Sequence, residues 1–129
     1  MDKNYKPYVC IMTNSTCYKG TWKYNPKGVL WHSTGTNNWW LSRYVQPLKT
    51  DANYDAAIAK LGKNRNGNDW NHIHKDAGLS CWIGKFADGT VGTVQTLPWN
   101  YRPWGCGKGK NGSLNDTHCQ FEIKYIVSV

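Results

Sequence analysis

A mixed α/β sheet with helices packed on it is the fold class that the order of segments predicts. Three observations carry it. Short apolar runs of strand length recur at residues 8–12, 28–32, 79–86, 91–97 and 117–126. Two segments between the second and third runs place apolar residues at helical spacing. Ala87-Asp88-Gly89-Thr90 joins the third and fourth runs through an Asp-Gly turn, the strongest short-range hairpin signal. Strands, two early helices and a late hairpin together give a mixed central sheet covered by helices. At 129 residues the chain is the length of one domain and can bury about two-thirds of its unfolded surface.

The elements follow in order. Residues 8–12 read as a first short strand, and residues 14–27, a Lys, Asn and Gly segment carrying Tyr18, Trp22 and Tyr24, as a loop. Gly28-Val29-Leu30-Trp31-His32 is a continuous apolar run that ends in a polar Ser33-Thr34-Gly35 turn. That is the pattern of a buried central strand whose end opens into a site. Trp40, Leu41, Tyr44, Val45 and Leu48 have helical spacing, and Pro47 should stop that helix near Gln46. Thr50 or Asp51 can cap a second helix with Tyr54, Ala57, Ile58 and Leu61 on one face and Gly62 at its close. Residues 63–75 are a polar loop. Residues 99–115, rich in Gly, Lys, Trp and Pro and without period, are too long for a mere connector and read as a functional loop. In the last strand Cys119, Phe121 and Ile123 face one way and His118, Gln120 and Glu122 the other.

Composition narrows the partners. Sixteen Lys and Arg against eight acidic residues give a formal charge of +8, which draws in polyanions at long range. The basic residues are spread from Lys3 to Lys124 and no RNA or DNA motif is present, which argues against nucleic acid. Eight Trp and eight Tyr against two Phe supply large side chains with polar handles, suited to a cleft wall. Five cysteines, Cys10, Cys17, Cys81, Cys106 and Cys119, are odd in number and form no CxxC pair. They encode neither a disulfide framework nor a zinc knuckle and read as reduced, partly buried thiols. No apolar h-region opens the chain and no run of about 18 apolar residues occurs. The expectation is cytoplasmic synthesis without a signal peptide and no membrane span.

Chemistry-bearing residues are few. His32 ends a strand, where a sheet presents side chains to a ligand crevice, although a core histidine bonded to backbone fits the same position. Glu122 is the sole glutamate and stands on an apolar strand. A buried carboxylate must be paired, hydrogen-bonded or protonated, and a raised pKa suits a general base; a salt bridge to a lysine is the structural alternative. His118 shares the Glu122 face but lies about 13 Å along a strand at ~3.3 Å per residue. His72 and His74 form an HxH pair without neighbouring ligands and read as a polar loop. Residues 108–113 lack the spacing and following helix of a phosphate loop and read as a basic rim.

Several segments in order resemble the zinc N-acetylmuramoyl-L-alanine amidases related to peptidoglycan recognition proteins, in particular clostridial and phage lysins and autolysins. They are Ile11-Met12-Thr13-Asn14-Ser15-Thr16-Cys17-Tyr18, Gly28-Val29-Leu30-Trp31-His32-Ser33-Thr34-Gly35, Cys81-Trp82-Ile83-Gly84-Lys85, Asp88-Gly89-Thr90-Val91, Gln95-Thr96-Leu97-Pro98-Trp99, Trp104-Gly105-Cys106-Gly107 and Gln120-Phe121-Glu122-Ile123. The resemblance implies hydrolysis of the amide between N-acetylmuramic acid and L-alanine of the stem peptide. It implies Zn2+ held by His32, an acid/base role for Glu122, and substrate contacts from Ser33, Thr34, Trp99, Tyr101 and Trp104. It implies peptidoglycan as partner and action at the cell wall after release.

The chain departs from the family at Ser80, where many relatives carry Tyr or His, and in lacking the two further zinc ligands and the long helix that follow the Glu122 strand. The expectation is therefore a single, incomplete amidase-like domain over residues 1–129, without the C-terminal helix segment. Its uncovered sheet face would favour self-association. Three accounts follow: an enzyme completed by His118, His72, His74 or a partner chain; an inactive module that binds wall fragments or a protein; and a truncated lysin.

Overall fold

The computed structural model describes residues 6–33 and 35–124. Five strands form one mixed sheet: β1 (Tyr8–Val9), β2 (Gly28–Ser33), β3 (Cys81–Lys85), β4 (Val91–Gln95) and β5 (His118–Ile123). Their order is β1-β4-β3-β5-β2, with β3 and β4 antiparallel and every other neighbouring pair parallel. Two helices, α1 (Thr16–Gly20) and α2 (Tyr54–Leu61), and two 3-10 turns, Leu41–Arg43 and Leu114–Asp116, complete the regular structure among the described residues. The mixed α/β class is present, with less helix than the sequence pattern suggests.

The hairpin forms where Asp-Gly places it. Asp88 Oδ1 accepts from the Thr90 N–H at 2.9 Å and from its hydroxyl at 2.7 Å, and Gly89 takes a φ of 84° that favours glycine. α2 also forms as expected, burying Ala57 and Leu61, with the Gly62 N–H bonded to Ile58 O. Its N-cap is Asn53 rather than Thr50 or Asp51; Asp51 spends its carboxylate on the Leu48 N–H one turn earlier.

One core cluster lies on a single face of the sheet, where Leu41, Tyr44, Val45, Ala57 and Leu61 pack against Trp82 and Val94. Trp82, fully buried, stacks on Tyr44 at 5.1 Å and meets the edge of Trp70 at 4.9 Å. The second face, among the described residues, leaves Val9, Val29, Trp31, Val91 and Ile123 exposed.

Three expectations are corrected. β2 is an edge strand beside β5, not a central one, and its residues alternate between half-buried and exposed. An apolar run of five cannot by itself tell an edge strand with one open face from a central strand buried on both. The helix expected from Trp40 shrinks to the turn Leu41–Arg43. Pro47 would clash with the carbonyl four residues earlier, so the segment cannot continue as α-helix through 43–46. Leu41, Tyr44 and Val45 are nonetheless buried. Finally, the loop at 14–27 contains α1, whose first turn is capped by Ser15 Oγ accepting from Tyr18 N. The end of the last expected strand, residues 125–126, lies outside the described residues.

Candidate functional site

β2 and β5 run parallel in a register that sets Gly28 opposite His118, Leu30 opposite Gln120 and His32 opposite Glu122. Alternation therefore turns His32, Gln120 and Glu122 to the same face. His32 Nε2 lies 2.7 Å from Oε1 of the fully buried Gln120. Gln120 Nε2 donates to Asn115 Oδ1 at 2.7 Å, and that oxygen also accepts from the Gly105 and Cys106 N–H groups and the Cys106 thiol. Asn115 Nδ2 in turn donates to Cys106 O.

This network orients the ring's neighbour. Backbone donors and a backbone acceptor orient the Asn115 amide, Asn115 orients Gln120, and Gln120 Oε1 is thereby turned to His32 Nε2, where it can accept from the ring.

A cleft of about 370 Å³ opens at this end of the sheet, bordered by His32, Glu122, Trp70, Asp76, Trp104 and Cys106. Burial pushes the Glu122 carboxyl above the usual carboxylate range, and neighbouring His32 and Lys124, in their protonated forms, temper that rise. Two residues on, Lys124 is buried at 2% exposure, and its Nζ has no hydrogen-bond partner among the described residues. The ammonium sits 2.8 Å over the Tyr44 ring and 5.0 Å from that of Trp82. Burial lowers its pKa to about 7, with Glu122 raising and Arg43 further lowering it.

The sequence-derived candidates separate. His32, Glu122 and Trp104 meet at the cleft. Trp99 lies on the other sheet face, stacked on Phe121 at 6.1 Å. Tyr101 stacks on Tyr18 at 5.5 Å beneath Lys23 and borders none of the cavities around this cleft. Ser33 is exposed and alternates to the face opposite His32; Thr34 lies outside the described residues. The His118 ring fills the space that a side chain at Gly28 would need, and its Nδ1 bonds to Thr117 Oγ1. It does not border the cleft. His72 pairs with buried Asp69 at 2.8 Å, and His74 is almost fully exposed.

Asp76 and Cys106 border the cleft without having been singled out. Asp76 follows the HxH pair, and Cys106 lies inside the 99–115 loop, in the segment Trp104-Gly105-Cys106-Gly107 that resembles the amidases. All five cysteines are free. Burial drives the thiols of Cys10 and Cys81 up to about 12 and that of Cys17 to about 11, which makes them inert.

Among the described residues, no three His, Cys, Asp or Glu side chains stand close enough to hold a metal ion. The residues around His32 thus do not form a ready zinc ligand set, which normally needs three protein ligands and an open position. No family model matches the chain, and no curated protein or solved structure matches it either. Among the described residues no helix is long and apolar enough to cross a membrane.

Proposed function

We propose that the chain is a peptidoglycan amidase-like domain, acting on the amide between the lactyl group of N-acetylmuramic acid and L-alanine of the stem peptide. The observation that carries this reading is the pairing of His32 with Glu122 across parallel strands at one cleft. The ordered segments that resemble the zinc amidases support it further, and those segments include both residues.

The chemistry open to these side chains is acid–base work. The Glu122 carboxylate takes a proton from water as the water oxygen adds to the lactyl carbonyl carbon. It returns that proton to the nitrogen as the C–N bond breaks and L-alanine leaves with a free amine. When His32 Nε2 donates to Gln120 Oε1, Nδ1 can accept a hydrogen bond from the same water. Because Glu122 must be ionised to act as base and burial raises its pKa, the acid limb of the rate profile falls at higher pH than for an ordinary carboxylate.

Zinc at His32 belongs to the resemblance, and a lone imidazole holds zinc weakly. A second reading is therefore a module that binds wall fragments without turnover, favoured by the tie between His32 Nε2 and Gln120 and by the absence of a ligand cluster among the described residues. Self-association through the open sheet face and action at the wall after release complete the proposal.

One experiment separates the readings: bound zinc and stem-peptide release from purified peptidoglycan, measured on the same preparation. Zinc loss in His32→Ala together with a fall in turnover of roughly 10²–10⁴-fold in Glu122→Gln supports the enzyme. Peptidoglycan binding without released peptide supports the module. No binding at all overturns both.

A further inference from the structure

Between α2 and β3, residues 62–77 form neither helix nor strand, and so long an irregular stretch in a compact domain is usually functional or disordered. This one is tied down from inside. Gln46, 3% exposed, donates from Nε2 to Gly62 O at 2.8 Å and accepts the Asn64 N–H on Oε1 at 3.0 Å. Asn64 Nδ2 donates to Asn68 Oδ1 at 2.8 Å and to Arg43 O at 3.2 Å, and Arg43 Nη1 donates to Asn68 O at 2.7 Å. Asn71, fully buried, closes the set by donating to Gln46 O at 2.9 Å. Buried amides satisfied in this way rigidify the loop they hold.

The loop encloses, with Pro47 and Tyr54, a hollow of about 380 Å³ that shares no lining residue with the His32 cleft. Lys49, Lys63, Arg65 and His72 line it, and among the described residues no carboxylate does. The acids nearest in sequence are engaged elsewhere or turned away. Asp51 accepts the Leu48 N–H, buried Asp69 accepts from the Asn71 N–H and meets His72 Nδ1, and exposed Asp55 stands in the first turn of α2 outside the hollow. The three permanent cations are unpartnered: among the described residues Lys49, Lys63 and Arg65 make no ion pair and lie over no aromatic ring, unlike Arg102, Lys85 and Lys124. Cations gathered round a concave wall focus their field into it and repel one another until an anion enters. Three of them with no opposing carboxylate favour a dianion over a singly charged ligand. Tetrahedral phosphate offers each an acceptor oxygen, and the Arg65 fork can take two. The volume lies at the small end of ligand sites, yet exceeds one phosphate, and Pro47 and Tyr54 supply apolar wall beside the cations.

We infer that the hollow between Lys49, Lys63 and Arg65 binds a phosphate dianion, free or as a phosphomonoester whose organic group lies against Tyr54. The site rests on its own residues and on nothing read from the His32 cleft.

The test titrates the full chain with inorganic phosphate, phenyl phosphate and acetate, at constant ionic strength and at a pH where phosphate is doubly charged. Binding is followed by calorimetry and by backbone amide resonances. Phosphate should bind more tightly than acetate, with the largest shifts in residues 63–67. Lys63→Gln and Arg65→Gln, both at exposed positions, should each weaken phosphate binding about three- to fivefold. Lys110→Gln removes the same charge from an exposed position outside the hollow and should leave binding unchanged. Far-UV circular dichroism checks that each variant is folded. Tighter binding of phenyl phosphate, lost in a folded Tyr54→Ala, identifies the ester as the occupant; equal or weaker binding of phenyl phosphate identifies the free ion. Absence of phosphate binding overturns the inference, and so does acetate binding as tight as that of phosphate. An equal loss in Lys110→Gln and Lys63→Gln overturns it too, because attraction would then come from net charge alone.

Discussion

The two faces of the sheet have opposite fates although the same strands supply both. From β5, Gln120 and Glu122 turn toward the packed side, and Phe121 and Ile123 turn to the open side, where Trp31 and Trp99 gather on Phe121 at 5.1 and 6.1 Å. On the packed side even a lysine is hidden: Lys124 is 2% exposed, whereas Trp31 on the open side is 55% exposed. Burial here follows the cover, not the hydrophobicity of the residue. The segment from Leu41 to Leu61 and the Trp70 ring lie over one face only, so polar groups on that side must find partners or shift their protonation, while apolar groups on the other remain in water.

The largest expected difference between the faces comes from deleting one indole on each. Trp82→Ala removes a fully buried ring packed between Tyr44 and Trp70 and should cost about 3–5 kcal/mol, read as a large drop in the urea midpoint. A Trp82→Ala midpoint close to wild type would mean that the packed face is not the stabilising one.

Lys124 comes next. Its pKa in the fold, about 7, lies below the 10.5 of the free side chain. A depressed folded pKa means that the stability the neutral amine contributes is present above 10.5 and is lost as pH falls toward and through 7. Lys124→Met removes that titration. The variant should gain on wild type progressively from pH 10 to 7, with the gap, a few kcal/mol in size, levelling off below 7. Equal stability of the two proteins at pH 6 would show that the cation–π contacts with Tyr44 and Trp82 and the nearby Glu122 charge compensate the buried ammonium in full.

Much of the packed face was legible in the sequence. Tyr54, Ala57, Ile58 and Leu61 mark a helix by period, Asp88-Gly89 marks the hairpin by its turn chemistry, and alternation in residues 118–123 sorts β5 correctly. What escaped depended on contacts distant in sequence. The edge position of β2 follows from β5 inserting between it and β3, a pairing of residues about ninety apart in the chain. α1 is five residues long and has too few apolar positions to show a period. At the site, His32 and Glu122 were legible as individual residues, but the relay through Gln120 and Asn115 was not, because amides carry no local signature of a buried network. Trp99 and Trp104 look alike in sequence; only the fold places them on opposite sides of the sheet.

That relay gives a third and smaller effect. Gly105 packs against it so closely that a Cβ would collide with Gln120 Oε1 and come within 2.7 Å of Leu79 and 3.0 Å of His32 Nε2. Gly105→Ala should therefore cost about 1–3 kcal/mol by overpacking and, more tellingly, release His32 Nε2 from Gln120 Oε1. Imidazole nitrogen shifts in the variant should move toward those of a free histidine. Shifts that stay at wild-type positions would mean that Gln120 does not hold the ring.

The smallest effect on stability, and the sharpest test of the open face, is Trp31→Ser. The Trp31 ring is already more than half exposed and sits on an edge strand, so truncation removes far less buried area than Trp82→Ala and should lower the unfolding midpoint correspondingly less. Its consequence lies between molecules. Among the described residues no strand pairs with the outer edge of β2, and Val29 and Trp31 extend the apolar surface up to that edge. A second copy pairing there in antiparallel fashion would satisfy the backbone groups and cover the aromatics at once. The formal charge of +8 opposes this approach, so association should strengthen as salt screens the repulsion. Light scattering at micromolar concentration should then report a mass above 14.7 kDa that rises with salt in the wild type and stays at the monomer value in Trp31→Ser. A wild-type monomer at every salt concentration would show that the exposed aromatics on this face do not join copies of the chain, and the contrast between the faces would then be one of packing alone.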